Sequence, residues 1–364
     1  MNHKKTTHFP PHLMICRNMQ AIRILCFVAG LVLCVLTHVH ADEGRKPIYQ
    51  PVSITQSGTY VMTRDLSIST DTNIIDIAAS NVTIDLNGRS LTSSSNTASI
   101  INIGNGAYNN ITIKNGYLNG GSSGVYSNSS TRIRIFLDNL TIRDTASDAI
   151  DIQNIRYVEI SGCKIISPAG YAINLNGVDN TFPAKINNNI ITGANFTGIS
   201  ATGIQAGEIR GNTILIMGAS TSYRGIYLDT VSGLTAGGNL IAGNTISGSG
   251  NNLLPGIQIT PDSANNSIID NVIAEAYNGI WIQSNNNLFR GNTVSAHSGN
   301  GIGVAGLRNI IEDNQISGNG TGGSGFGIFF SGGPSNAYRN NMLRGNASGA
   351  VYENGNTDAG GNII

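Results

Sequence analysis

Residues 256–304 read GIQITPDSANNSIIDNVIAEAYNGIWIQSNNNLFRGNTVSAHSGNGIGV, and three Gly-Ile-x-apolar segments stand out, at Gly256, Gly279 and Gly301. Between them lie two copies of apolar-x-x-Asn-x-apolar, at Ile268/Asn271/Ile273 and Phe289/Asn292/Val294. Alternation over so few residues is the period of a short strand, and the Gly/Asn clusters between are turns. A unit that returns at this interval, with no helix-length amphipathic stretch inside it, is a coil of a β-solenoid.

The pattern extends in both directions. GIYL at Gly225 and GIFF at Gly327 flank the quoted stretch, with AVYE at Ala350 beyond. Looser copies run back through GISA at Gly198, AINL at Ala172, AIDI at Ala149, GVYS at Gly124, IINI at Ile100 and IIDI at Ile74. The middle residues of these twelve strands are spaced 22 to 31 apart. The Asn motif holds its register over seven coils: Asn189, Asn212, Asn244, Asn271, Asn292, Asn314 and Asn341, with Cys163 in the matching place one coil earlier. Stacked amides at one bend supply hydrogen-bond partners for a buried turn. The expectation is an all-β parallel β-helix of about 12 coils over residues 71–364, a rod roughly 53 Å long. Residues 42–70 are expected to cap its N-terminal end against edge-to-edge pairing.

Composition agrees. Of 364 residues 46 are Gly and, by the same rows, 46 are Asn, while charged residues make up only 12%. A balance of 21 acidic against 21 basic groups excludes a nucleic-acid binder that works through bulk positive charge. The N-terminus reads as an export leader: Arg17 and Arg23, an apolar run from Ile24 to Thr37, and Val39-His40-Ala41 as a cleavage site, with Met1 or Met19 as the start. Cleavage after residue 41 yields a secreted, periplasmic or cell-surface protein without stable membrane insertion. Cys163 is then the one cysteine and His297 the one histidine, so neither a disulfide nor a zinc or copper ligand cluster is expected.

These residues carry a resemblance. The G-I-x-I and G-N-x-I texture, together with SGTYVMTRDL at Ser57 and NVTIDLNGRSL at Asn81, resembles the right-handed parallel β-helix repeat proteins of the pectin-lyase-like superfamily, NosD-type repeats among them. The resemblance covers nearly all of residues 50–364 and implies the fold and its right hand. It does not imply one activity, because that superfamily hosts lyases, hydrolases, esterases, epimerases, tailspikes and adhesins.

With the flanking Ile of each strand inward, the middle residue faces out. The twelve middle residues therefore form a stripe that carries Tyr126, Tyr227, Trp281 and Phe329, with Asn174, Gln258 and nearby Asp229 as hydrogen-bonding groups. Such a row suits the flat faces of sugar rings; the competing expectation is that loops 232–254 and 319–326 cover it. Asp148 and Asp151 are the candidate acid–base pair and, with Gln153 and Asn174 oxygens, an alternative Ca²⁺ site. Arg156 and Arg224 are the nearest cations; Arg156 is grouped with the two Asp as a catalytic candidate, and Arg224, Tyr227, Asp229 and Gln258 form a second constellation. The leading expectation is polysaccharide recognition along the stripe, with lyase, glycoside hydrolase or epimerase chemistry near Asp151. The alternative is a non-catalytic adhesin or scaffold that binds a glycan or a protein.

Overall fold

In the computed structural model the Ile-x-Ile strands stack one on another, because their inward columns have nowhere else to be buried. It describes residues 44–129, 133–177, 181–216, 223–230, 234–248 and 254–364. The expected leader lies outside the described residues, as does part of the 232–254 loop. Lys46–Ile364 forms one compact unit. Among the described residues there is no helix, hence none long and apolar enough to cross a membrane.

Most coils contribute three short strands, two of which are fused in Ile111–Gly120 and in Ile133–Arg143, and the paired strands all run parallel. The first sheet has thirteen strands: the twelve expected plus Val52–Ile54 ahead of them, which pairs with Ile75–Ile77. Gly58–Met62 and Leu66–Ile68 pair with Val82–Asp85 and Ser90–Ser93 in the other two faces. The segment expected as a cap is therefore built as a coil, in register with the one above it. Ile150, Ile173, Ile199 and Ile226 are successive register partners and fully buried. Burial of each such side chain contributes roughly 1.5–3 kcal/mol, repeated along the whole rod.

The corners are held by amides. Asn189 donates from Nδ2 to Asn212 Oδ1 on the next coil and to Ile160 O on the coil before, at 3.0 Å each. The same pattern climbs through Asn244, Asn271, Asn292, Asn314 and Asn341 to Asn362. Cys163 ends the ladder by donating its N–H to Asn189 Oδ1; burial pushes its thiol up to about 12, so it is inert. The residue ahead of each ladder Asn has positive φ, for example Asn188 (57°), Gly211 (64°) and Asp270 (54°). That backbone favours Gly, Asn and Asp, which explains the recurring Gly-Asn and Asp-Asn pairs.

Two more ladders run up the other corners. Asn239, Asn266, Asn287, Asn309, Asn336 and Asn356 stack at the corner after the first sheet. His297, Asn319 and Asn346 stack at the corner before it. His297 accepts the Ala276 N–H at Nδ1 and meets Ile273 O at Nε2, and it is fully buried. Its imidazole is a corner bracket.

Candidate functional site

The middle residues of the first-sheet strands are direct register partners from end to end. Asp151 lies opposite Asn174, Asn174 opposite Ser200, Ser200 opposite Tyr227, Tyr227 opposite Gln258, and Gln258 opposite Trp281. These middle residues form one column along the first sheet, with coils about 4.8 Å apart. A second outward column runs beside it: Gln153, Asn176, Thr202 and Asp229.

Asp148 and Asp151 meet on this column. Asp148 sits in the turn before its strand, buried to 9% exposure, and accepts the Tyr171 backbone N–H at 2.8 Å. Asn174 on the next coil donates Nδ2 to Asp148 Oδ2 at 3.0 Å and to Asp151 Oδ1 at 3.4 Å. Gly170 passes so close that a Cβ there would collide with the Asp148 carboxylate. Burial raises Asp148, against the lowering effect of its two donors. Burial also raises Asp151, and the charge on Asp148 raises it further, to about 7. Both carboxyls are thus shifted upward, Asp151 into the neutral range. Neighbouring carboxyl groups with unequal environments can divide acid and base roles between them.

The second constellation also forms. Arg224 donates Nε to Gln258 Oε1 and lies over the Tyr227 ring, 4.5 Å from its centroid. Tyr227 donates its hydroxyl to Asp229 at 3.0 Å; burial and this bond push the phenol up to about 12. Asp229 is fixed by Thr230 N and Thr260 Oγ1. Only Ser200, small and 7% exposed, lies between Asn174 and Tyr227 on the column, so the floor dips between the two groups.

Tyr171 and Phe196 were missed in the sequence reading. Their rings pack 5.6 Å apart in the turns entering the coils of Asn174 and Ser200, and Phe196 is 41% exposed. They flank the dip. The available signal was an exposed aromatic just ahead of a motif strand, in GYAIN and NFTGIS.

Beyond Gln258 the column turns aromatic. Trp281 lies flat over Gly303, where an added Cβ would run into the indole. Phe329 stacks on Tyr352 at 5.2 Å, and Phe326 joins both. The 319–325 loop, expected as a cover, bonds to His297, Ser298 and Asn346 at the adjoining corner, and Thr321–Ser324 are exposed. Tyr126 faces out one coil before Asp151, its direct register partner.

Arg156 is not brought to the two Asp. It begins the second sheet, around the corner, beside Arg134, Phe136, Tyr157 and Pro183. Asn174 turns its nitrogen, not its oxygen, to both carboxylates, and among the described residues no group of three His, Cys, Asp or Glu side chains is placed to hold a metal.

Residues 148–309 match the family described as the right handed beta helix region. No curated protein matches the chain in sequence. Among solved structures, the chain is similar to a double mutant of the periplasmic alginate epimerase AlgG, at 13% identity over 85% of this chain and 78% of that one, TM-score 0.52. It is similar to the mannuronan C-5 epimerase AlgE6 A-module of Azotobacter vinelandii, at 11% identity over 84% and 90%, TM-score 0.50. It is also similar to the catalytic domain of a GH87 alpha-1,3-glucanase, at 14% identity over 88% and 63%, TM-score 0.52. Together with the family match, these likenesses show a right-handed parallel β-helix fold.

Proposed function

We propose that this right-handed β-helix acts on a polysaccharide laid along the outward column of its first sheet. Asp148 serves as base and Asp151 as acid. The single observation that carries the reading is the meeting of these carboxylates at one Asn174 amide. Arg224, Tyr227, Asp229 and Gln258 hold the next sugar units. Trp281 and the Phe329–Tyr352 stack carry a stretch further on, with Tyr126 on the other side of the pair. The structural neighbours named as an alginate epimerase, a mannuronan epimerase and a glucanase lend support at the level of substrate class.

The pair narrows the chemistry. Bonds of 3.0 and 3.4 Å to one donor keep these two carboxylate oxygens no more than 6.4 Å apart, just below the ~6.5–9.5 Å that inverting glycosidases leave for a water. This favours retaining hydrolysis, or proton transfer at a sugar carbon as in a lyase or epimerase. We further propose that residues 1–41 are an export leader, so that the mature chain begins near Asp42; N-terminal sequencing of the exported protein checks this.

Affinity electrophoresis through gels containing neutral or acidic polysaccharides tests the substrate class. At least one polysaccharide is expected to retard the protein, and Trp281→Ala to relieve that retardation. Free migration in every gel would contradict the reading.

A further inference from the structure

On the second sheet, one corner past Asp151, the alternation of the strand breaks. Ile155, Val158 and Ile160 are buried, yet Arg156 and Tyr157 both face out. The register explains it: pairing with the neighbouring strand passes from Ile133↔Ile155 directly to Arg134↔Tyr157. Arg156 is the extra residue of a β-bulge, a device that sacrifices ladder pairing to re-aim a side chain. It sets Arg156 beside Arg134, next to the Phe136 and Tyr157 rings, whose centroids are 5.7 Å apart at 47°. Pro183 of the next coil completes a pocket of about 350 Å³.

Both guanidinium groups are exposed. Ion pairs among the described residues lie elsewhere, at Arg143–Asp144, Arg210–Glu208 and Arg339–Glu312. The carboxylate next along this face, Glu159, accepts the Tyr157 hydroxyl at 2.9 Å and lies opposite Lys185. Two planar cations thus line one pocket with two aromatic rings, and none of the described residues lining it is a carboxylate.

We propose that this pocket binds an acidic sugar residue. A guanidinium fork matches a carboxylate or sulfate ester in two parallel hydrogen bonds, and the Phe136 and Tyr157 rings offer an apolar surface to the sugar ring. A bare anion leaves the rings unused, and a neutral sugar leaves the cations unanswered. The site is separate from the Asp148–Asp151 pair and holds its ligand whether or not that pair turns anything over.

The test is isothermal titration of the full chain carrying Asp151→Asn, so that no turnover intervenes. The probes are a galacturonate trisaccharide, its carboxyl-reduced counterpart, a sulfated trisaccharide and inorganic sulfate. The acidic trisaccharides are expected to bind at least tenfold more tightly than the reduced one. Adding R134Q and R156Q should abolish that preference, Phe136→Ala should weaken the acidic and the reduced trisaccharide alike, and Trp281→Ala should leave the preference in place. Arg156→Lys, which keeps the charge and loses the fork, should retain only part of it. Thermal unfolding should not move with the two Gln substitutions, since both side chains are exposed. The ratio of galacturonate to sulfated-sugar affinity identifies the anion. An unchanged preference in the R134Q/R156Q protein overturns the site, and inorganic sulfate binding as tightly as the sulfated trisaccharide overturns the sugar.

Discussion

Asp148 and Asp151, three positions apart in the chain, present their carboxylates to a single side-chain amide, that of Asn174, at 3.0 and 3.4 Å. The coil geometry forces the meeting: Asp148 closes the turn and Asp151 faces out mid-strand. Asn174 is the direct register partner of Asp151 on the next coil.

The pair makes stability depend on pH in a defined direction. Asp151 has its folded pKa raised from 3.8 to about 7, so the fold binds this proton more tightly than the unfolded chain does. Its contribution is fully present below about pH 4 and is lost as pH rises through about 7. Asp151→Asn should match the wild type in melting temperature near pH 4. At pH 8 its unfolding free energy should exceed that of the wild type by roughly 1–4 kcal/mol, the upper end being reduced by the partial exposure of the group. Parallel melting curves across this range would remove the raised pKa from the account.

Trp281 and Gly303 should behave as one unit. Trp281→Ala should weaken polysaccharide binding by about 1–3 kcal/mol, the range of other aromatic stacking platforms. Gly303→Ala, by lifting the indole off the sheet, should weaken it comparably while thermal unfolding stays cooperative. Titration of both variants with the polysaccharide that retards the wild type would show it. An affinity that survives both moves the binding surface off the aromatic part of the column.

The ladders predict where the rod is brittle. Asn271 is fully buried and bonds Asn244, Asn292, Ile241 and Ile269. Asn271→Ala strands several of these partners and should cost on the order of 2–4 kcal/mol in denaturant unfolding. A loss under about 0.5 kcal/mol, the level of an ordinary surface change, would show that the amides contribute little.

His297 should set an acid limb of stability. Burial lowers its pKa from 6.5 to about 4, so the fold excludes a proton that the unfolded chain takes up. Stability present above about pH 6.5 is therefore lost as pH falls through about 4. His297→Asn places in the corner the residue that its ladder partners Asn319 and Asn346 already use. Its unfolding should lose that acid limb, visible as a flatter melting-temperature profile between pH 4 and 6.5.

The first sheet was legible residue by residue, because Ile-x-Ile strands repeat with little variation and all twelve middle residues are register partners. One Asn ladder was legible and two were not. The reading measured from the motif strands, from which the other ladders stand at varying distances, whereas both hold a spacing of five from the ladder that was seen, as in Asn287, Asn292 and His297, until it widens to six at Asn356 and Asn362. The nearness of Asp148, Asp151 and Asn174 followed from alternation and register, but Asn174 was read through its oxygen and meets the carboxylates through its nitrogen. Arg156 was misjudged as a neighbour of Asp151 because sequence proximity hides a corner: the chain turns at Asn154, whose φ is 54°, and the bulge then carries Arg156 outward onto another face. Tyr171 and Phe196 escaped because turn residues obey no period.

The most direct measurement is mass spectrometry of neutral and acidic polysaccharides after incubation in D₂O with the wild type and with Asp151→Asn. Deuterium makes carbon-proton exchange visible even where chain length is unchanged. The account predicts shortened, unsaturated or deuterated sugar from the wild type and unchanged sugar from the variant. The same products from both proteins, or a polysaccharide that the wild type binds and leaves unaltered, would contradict it.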